Sequence, residues 1–338
     1  MNKRILFTLL GALALLALFM ANLLIGSVDI PFQEAMATLR GDESVRESWR
    51  FIILRSRLPQ AVAALLAGSS LAASGLMLQT AFANPLAGPD VFGINSGAGL
   101  AVALVMLPLG GGILGAANLP LGGHVAILAA AFIGAMAVTA LILFLSTLVR
   151  NAVMLLIVGL MVGYMASSVV SLLNFMASAQ GVKSYMIWGM GSFANVPFEQ
   201  MPLFVPLTVT GILLSLTRVK SLNALLLGEV YALNLGTRTR RLRLQLLSLA
   251  GLLTAVTTAY CGPIAFIGLT TPHIARMLWR TDNHATLLPA SALSGAVIAL
   301  ACNLACSLPP EGGVLPLNVV TPLVGAPVIL HVILRHRR

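Results

Sequence analysis

What constrains this chain most is the recurrence, from one end to the other, of apolar runs about twenty residues long that almost no charge interrupts. Hydrophobic residues fill 58% of the 338 positions and charged residues only 9%. A soluble domain could hold that balance only by exposing apolar surface on a large scale, so the expected class is an all-α polytopic membrane protein. A helix needs roughly 20 apolar residues to cross the hydrocarbon. On that measure about ten spans are predicted, near 5–26, 60–80, 91–108, 122–148, 152–176, 200–217, 243–261, 268–281, 286–307 and 316–334. The eighth is short and holds Pro272, His273 and Arg276.

Lys and Arg placement tests the topology independently, because cytoplasmic loops carry the positive excess. With the N-terminus inside, fourteen of the twenty basic residues fall on the cytoplasmic side. The six outside are Arg40, Arg46, Arg50, Arg55, Arg57 and Lys183, and Asp29, Glu34, Asp42, Glu43 and Glu47 lie beside most of them. Both termini are therefore expected in the cytoplasm. The net charge of +10 reads as topology and not as nucleic-acid binding. Residues 1–26 are read as an uncleaved first span, since the run exceeds the 7–15 residues usual in a signal peptide and no clear cleavage site follows.

The chain reads as one membrane domain, 1–338, with no linkers or low-complexity tracts. Two outer connections carry structure of their own: 27–59 is amphipathic enough for one or two surface helices, and 177–199 contains SYMIWGMGSF, a candidate interfacial helix with Trp188 at headgroup depth. The second span is dense in Gly68, Ser69, Ser70, Ala73, Ser74 and Gly75, small residues that let helices approach closely. Gln79, at the end of that span, is a candidate for a pathway. Gly88-Pro89-Asp90 and Gly262-Pro263 form a weak internal echo of the sort found where transporter helices are interrupted. Cys261, Cys302 and Cys306 all lie in apolar surroundings; Cys302 and Cys306 share a helix face and read as small apolar residues at a helix contact, with a soft-metal site the alternative for that pair. His124 and Met154 read as packing residues.

Residues 218–243, RVKSLNALLLGEVYALNLGTRTRRLR, stand out as a basic, amphipathic connection with six Lys/Arg and one acid, Glu229. A membrane protein with one such connection is expected to present it to a partner. Gly228 and Gly236 punctuate two short helices, and Glu229 falls at a helix start, where exposed N–H groups favour a carboxylate.

The order of short motifs is more specific than any one of them. The chain gives Arg57-Leu58-Pro59, Ser74-Gly75 with Gln79, Asn84-Pro85-Leu86-Ala87-Gly88-Pro89-Asp90, Trp188-Gly189-Met190-Gly191-Ser192, Leu227-Gly228-Glu229 with Ala232 and Leu235-Gly236, Gly262-Pro263-Ile264, Pro272-His273-Ile274-Ala275-Arg276 and Gly325-Ala326-Pro327. Over nearly its whole length this resembles the FecCD family, the permease subunits of bacterial ABC importers for iron-siderophores, haem and cobalamin. The resemblance implies the type II ABC importer permease fold in the inner membrane. It also implies two copies of a cytoplasmic ATP-binding subunit carrying ATP and Mg, a periplasmic or lipid-anchored substrate-binding protein, and a second permease copy. The permease itself would hold no catalytic residue, metal or cofactor. By the same resemblance Leu227, Gly228, Glu229, Ala232, Leu235 and Gly236 form the ATPase contact, and Asn84, Asn151 and Ala152 join Gln79 as pathway or gate candidates.

The outer face departs from that pattern. Arg57 is kept as a docking residue for the binding protein, helped by Arg55 or Arg50, but Gln60 replaces a second arginine. An outer Asp and Arg of the ninth span align with Cys302 and Cys306, which looks like joint removal of an ion pair, since either alone would be costly in a membrane. The segment before the last span reads Val314-Leu315-Pro316-Leu317-Asn318. His273 and Arg276 are expected to cap carbonyls or snorkel. A metal-ion ABC permease and a secondary transporter working without an ATPase are the alternatives; a proton-coupled carrier would place acids or histidines in its spans, where this chain has few.

Overall fold

A computed structural model describes residues 3–42, 44–107, 120–149, 152–308 and 314–335. Among them every regular element is helical. In chain order these are α1 (Lys3–Leu24), α2 (Phe32–Leu39), α3 (Glu47–Phe51), α4 (Leu58–Ala81), α5 (Ile94–Met106), α6 (Pro120–Leu148), α7 (Ala152–Met176) and α8 (Ala179–Gly189), followed by α9 (Met201–Leu216), α10 (Val219–Leu226), α11 (Glu229–Asn234), α12 (Thr239–Cys261), α13 (Ile267–Trp279), α14 (His284–Cys306) and α15 (Leu317–Arg335). Each run predicted to span overlaps one of them. Among the described residues, seven helices are long and apolar enough to cross a membrane: Lys3–Leu24, Glu47–Ala81, Gly123–Leu148, Val153–Met176, Phe198–Leu216, Thr239–Cys261 and His284–Cys306. The chain is a multi-pass membrane protein.

Two of the ten predicted spans are interrupted helices. At 13 residues each, α5 and α13 reach only about 20 Å at 1.5 Å per residue. The cause is the pair of Gly-Pro turns that precede them, because proline lacks the N–H and favours an extended residue before it. The two turns meet in space: Phe266 N–H donates to Asp90 Oδ2 at 3.3 Å, and Asn95 Nδ2 donates to Asp90 Oδ1. Thr258 Oγ1 donates onward to Asn95 Oδ1 at 2.7 Å. The irregular backbone is thus partly covered by protein and hydrogen-bonded, the condition under which it is tolerated at membrane depth.

The core is built around α4. Its apolar window is 89% buried, against 6% for α1 and 22% for α7, as a helix apolar on all sides requires. Small residues make this possible. A Cβ on Gly68 would lie 2.2 Å from the Gly295 carbonyl oxygen, and one on Gly295 would lie 2.3 Å from that of Gly68. Ala299 and Ala72 stand one turn on from each, so both strands of this contact read small-xxx-small. The same reciprocal approach joins α5 to α6 through Gly97 and Gly134. Gly75 is tighter still, its missing Cβ only 1.7 Å from the Gly268 oxygen.

The bundle has a basic end, which holds Lys3, Arg276 and the 218–243 connection, and an opposite end, where α1 runs into α2. At the opposite end the 27–59 stretch forms the two short helices expected of it, α2 and α3, with Ile30, Ala35 and Ile53 as a small apolar cluster. Ser74 Oγ donates to the Ala250 carbonyl at 2.9 Å and lies 2.9 Å from Thr254 Oγ1, which ties α4 to α12.

Gly68→Ala and Gly75→Ala should each destabilise the folded chain by about 1–3 kcal/mol, the usual cost of overpacking, and lower its thermal unfolding temperature in detergent. Gly189→Ala, whose added Cβ meets nothing within 4 Å, should leave it unchanged. Equal unfolding temperatures for all three variants would refute close backbone approach as the limiting contact.

Candidate functional site

The 218–243 connection folds as α10 and α11, a pair of short helices joined by a sharp turn. Gly228 has φ +99° and Gly236 has φ +80°, values that other residues adopt only with strain, and nothing lies within 4 Å of where their Cβ atoms would be. Both glycines therefore serve the backbone path. Glu229 opens α11, as expected. Its carboxylate accepts from Thr239 Oγ1 at 3.2 Å and from Arg243 Nη2 at 3.5 Å, closing the turn onto the start of α12.

The outward face of this pair is apolar. Leu227 and Leu235 are 61% and 59% exposed, and Val230, Tyr231 and Leu233 are 53–74% exposed. Ala232 corrects the sequence reading: it is fully buried and seats α11 on the body of the protein, so it cannot touch a partner. Sequence reasoning missed Val230, Tyr231 and Leu233, although the helical period that turns Ala232 inward turns these neighbours out.

Two polar chains join the pair to the basic end of α4. In the first, Asn223 of α10 donates through Nδ2 to Asn283 Oδ1 at 2.9 Å and accepts at Oδ1 from the His284 N–H at 2.8 Å and from His284 Nδ1 at 3.0 Å. His284 Nε2 then lies 2.8 Å from Thr80 Oγ1. In the second, Arg243 leaves Glu229 to donate through Nε to the Ala81 carbonyl at 3.2 Å, and its guanidinium stands 5.9 Å from the Phe82 ring centre. Residues 80–82 are thus held from α10 through one chain and from α11 through the other. His284 is completely buried and was not singled out by sequence; a histidine beside an Asn N-cap was the available signal.

Two of the pathway candidates, Gln79 and Asn84, make hydrogen bonds within the chain. Gln79 is 3% exposed; its Nε2 donates to the Leu269 carbonyl at 3.0 Å and its Oε1 accepts from Arg276 at 2.8 Å. That pairing locks α4 to α13 and leaves no amide group facing an opening. Asn84 closes its own turn, with Oδ1 accepting from the Leu86 N–H at 2.8 Å. Asn151 lies outside the described residues, and Ala152 begins α7. His273 does cap a carbonyl, that of Pro85, at 2.7 Å.

At the opposite end Arg57 is turned inward, which corrects its expected place on a docking surface. It is 6% exposed and donates to the carbonyls of Leu23 at 3.1 Å, Leu24 at 2.7 Å and Val28. The last carbonyls of a helix lack intrahelical donors, and Arg57 supplies them for α1. Arg55 is an exposed cation here, paired with Glu199 at 3.2 Å and stacked over Phe198, while Arg50, nearby in sequence, is half-buried. The departures are also compensated. Gln60 donates to Asn303 Oδ1 at 2.9 Å and Asn303 to Asn22 Oδ1 at 2.7 Å, a neutral ladder across α4, α14 and α1. Cys302 and Cys306 are buried free thiols. Asn318 joins two distant motifs, donating to the carbonyls of Gly189 at 3.2 Å and Pro263 at 2.7 Å and accepting from the Ala265 N–H at 3.2 Å. Among the described residues no group of three or more His, Cys, Asp or Glu gathers.

The sequence matches the FecCD transport family over residues 14–335. It is 32% identical over 330 residues to the Hemin transport system permease protein HmuU of Yersinia pestis, covering 97% of this chain and 95% of that protein. It is 35% identical over 292 residues to the Vitamin B12 import system permease protein BtuC of Serratia proteamaculans, covering 86% of this chain and 83% of that one. Among solved structures, a metal-chelate type ABC transporter in an inward-facing conformation superposes with a TM-score of 0.80 at 28% identity, over 96% of this chain and 97% of that chain. An interrupted-helix bundle with this order of motifs, matched along almost its full length, belongs to the FecCD transport family.

Proposed function

We propose that this chain is the membrane-spanning permease subunit of a binding-protein-dependent ABC importer, carrying an iron chelate such as a ferric siderophore or haem, or cobalamin, into a bacterial cell across the inner membrane. The observation that carries this reading is the exposed apolar face of α10 and α11, held out on glycine turns yet tied by hydrogen bonds to the core helix. An apolar face of this kind marks a protein interface. The relatives are permeases of hemin and vitamin B12 systems, and those substrates set the chemical class.

On this reading the basic end faces the cytoplasm and takes a separate ATP-binding subunit, with ATP and Mg bound there. The chain itself binds no cofactor and catalyses no reaction. Leu227, Val230, Tyr231, Leu233 and Leu235 make the contact, while Gly228, Glu229 and Gly236 hold its shape. Movement of the ATPases shifts α10 and α11, and the shift reaches α4 through Asn223–His284–Thr80 and through Glu229–Arg243–Ala81. A second permease chain completes the pathway; the apolar exposed side of α7, where Tyr164, Met165, Phe175 and Met176 are uncovered, supports such an arrangement. At the opposite end Arg55, helped by Arg50, takes the acidic groups of a binding protein, and Arg57 acts only from within.

Purification of the tagged protein from native membranes should recover an ATP-binding subunit. Glu229→Lys should weaken that association on the order of tenfold, equivalent to ~1.4 kcal/mol; full retention would refute the assigned contact. In proteoliposomes holding the whole transporter, His284→Leu should lower substrate carried per ATP hydrolysed by about 2- to 30-fold, the range of coupling energies of about 0.5–2 kcal/mol. His284→Gln, which keeps a polar group toward Thr80, should retain most of it, and an unchanged ratio in His284→Leu would remove this chain from the mechanism. Arg55→Glu should reduce binding-protein affinity about 3- to 10-fold at low salt, with the difference shrinking as salt rises. Arg57→Gln should lower thermal stability and leave that affinity unchanged.

A further inference from the structure

The basic end carries a cavity that the proposed transport cycle does not use. It lies between the first turns of α1 and the end of α13, has a volume of about 640 Å³, and is lined by Lys3, Arg4 and Arg280 together with apolar side chains. None of its lining residues is acidic. The size falls within the range of small-molecule sites.

Its floor is fixed. Trp279 is buried, donates through Nε1 to Thr8 Oγ1 at 3.0 Å, and lies with its ring centre 6.2 Å from that of Phe7. At its cationic rim one backbone position is unusual. Arg280 ends α13 in the left-handed region, φ +48°, at a position where glycine or asparagine would fit without strain. An arginine held there at a steric cost is accounted for by its side chain, not by its backbone.

A second, almost wholly apolar groove of about 260 Å³ adjoins the first. The two share Met277 and Leu278, and the groove continues to Pro327 and Val328 of α15. Side by side, one cavity offers three cations at the end of the bundle and the other offers an apolar track leading away from it. Soluble anions match only the first. An anionic phospholipid matches both, with its phosphate among Lys3, Arg4 and Arg280 and an acyl chain along Met277 and Leu278.

We infer that the α1–α13 cavity is a binding site for one anionic phospholipid of the leaflet at the basic end. Bound there, the lipid bridges α1 to α13. Through Arg276 and Gln79 it also stands one helix away from α4.

The test is native mass spectrometry of the detergent-purified protein, with its partner subunits where these co-purify, titrated with phosphatidylglycerol or phosphatidylethanolamine. Wild type should hold one phosphatidylglycerol per chain under conditions that strip phosphatidylethanolamine. Neutralising Lys3 and Arg4 risks altering the orientation of α1, so two other variants carry the test. Arg280→Gln should lower retention about fivefold, the effect of about 1 kcal/mol per basic residue at an anionic surface. Leu278→Trp, which fills the cavity and keeps every charge, should lower it at least as much. Retention unchanged in both variants, or equal retention of the two lipids by wild type, would overturn the inference. Displacement of the lipid by millimolar inorganic phosphate would overturn it too, by showing a simple anion site. None of these readouts requires transport, so the proposed function and the lipid site stand or fall separately.

Discussion

Lipid competes with side chains for apolar contact, so helices in a membrane gain little from burying leucine against leucine and must instead bring their backbones together. In this molecule that demand falls on α4. Gly68 against Gly295 and Gly75 against Gly268 let two neighbours approach it at backbone distance, and the hydroxyl bonds from Ser74 add a third. Once α4 is fixed, α13 and α14 follow from those glycines, α12 from the serine and α1 from the polar ladder through Asn303 and Asn22. The surface elements inherit their positions from these, which is why the chains that begin at Asn223 and at Glu229 both reach the end of α4, through His284 and through Arg243.

The interrupted helices answer a different demand. Opening the backbone at Gly88–Gly93 and again at Gly262–Phe266 frees N–H and carbonyl groups that hydrocarbon would not satisfy. The first interruption supplies a partner for the second, with Asp90 accepting from the Phe266 N–H. Asn318 closes the nearby turn at the opposite end by reaching Gly189 and Pro263 at once. Short motifs far apart in the chain are therefore parts of a common knot, and their shared order along the sequence reflects contacts between them.

Most of this architecture was legible in the sequence because membrane helices announce themselves through length and apolarity, and glycine and proline through backbone geometry. The apolar runs, the two helices of the 27–59 stretch, the α10–α11 pair and the glycine turns between them follow from such local rules. What did not follow was the direction in which a polar side chain points. Arg57 and Arg55 are two residues apart and look alike in sequence, yet one caps α1 from inside and the other faces outward. Gln79 and Ala232 were misplaced for the same reason, since both directions depend on which neighbours pack there. His284 and the Gln60–Asn303–Asn22 ladder depend on contacts more than 200 residues apart along the chain, which periodicity does not report.

The face of α10 and α11 has a consequence for the life of the chain before assembly. Five bulky apolar side chains project together from a short, glycine-hinged pair, where no lipid tail reaches them if the pair stands clear of the membrane. A freshly inserted chain that has not met its partner would display this cluster to chaperones and membrane proteases, which select substrates by exposed apolar surface. Occupation of the same face by the partner would conceal it. The abundance of the chain would then follow the supply of its partner, and subunit numbers would be matched by the clearance of unassembled copies.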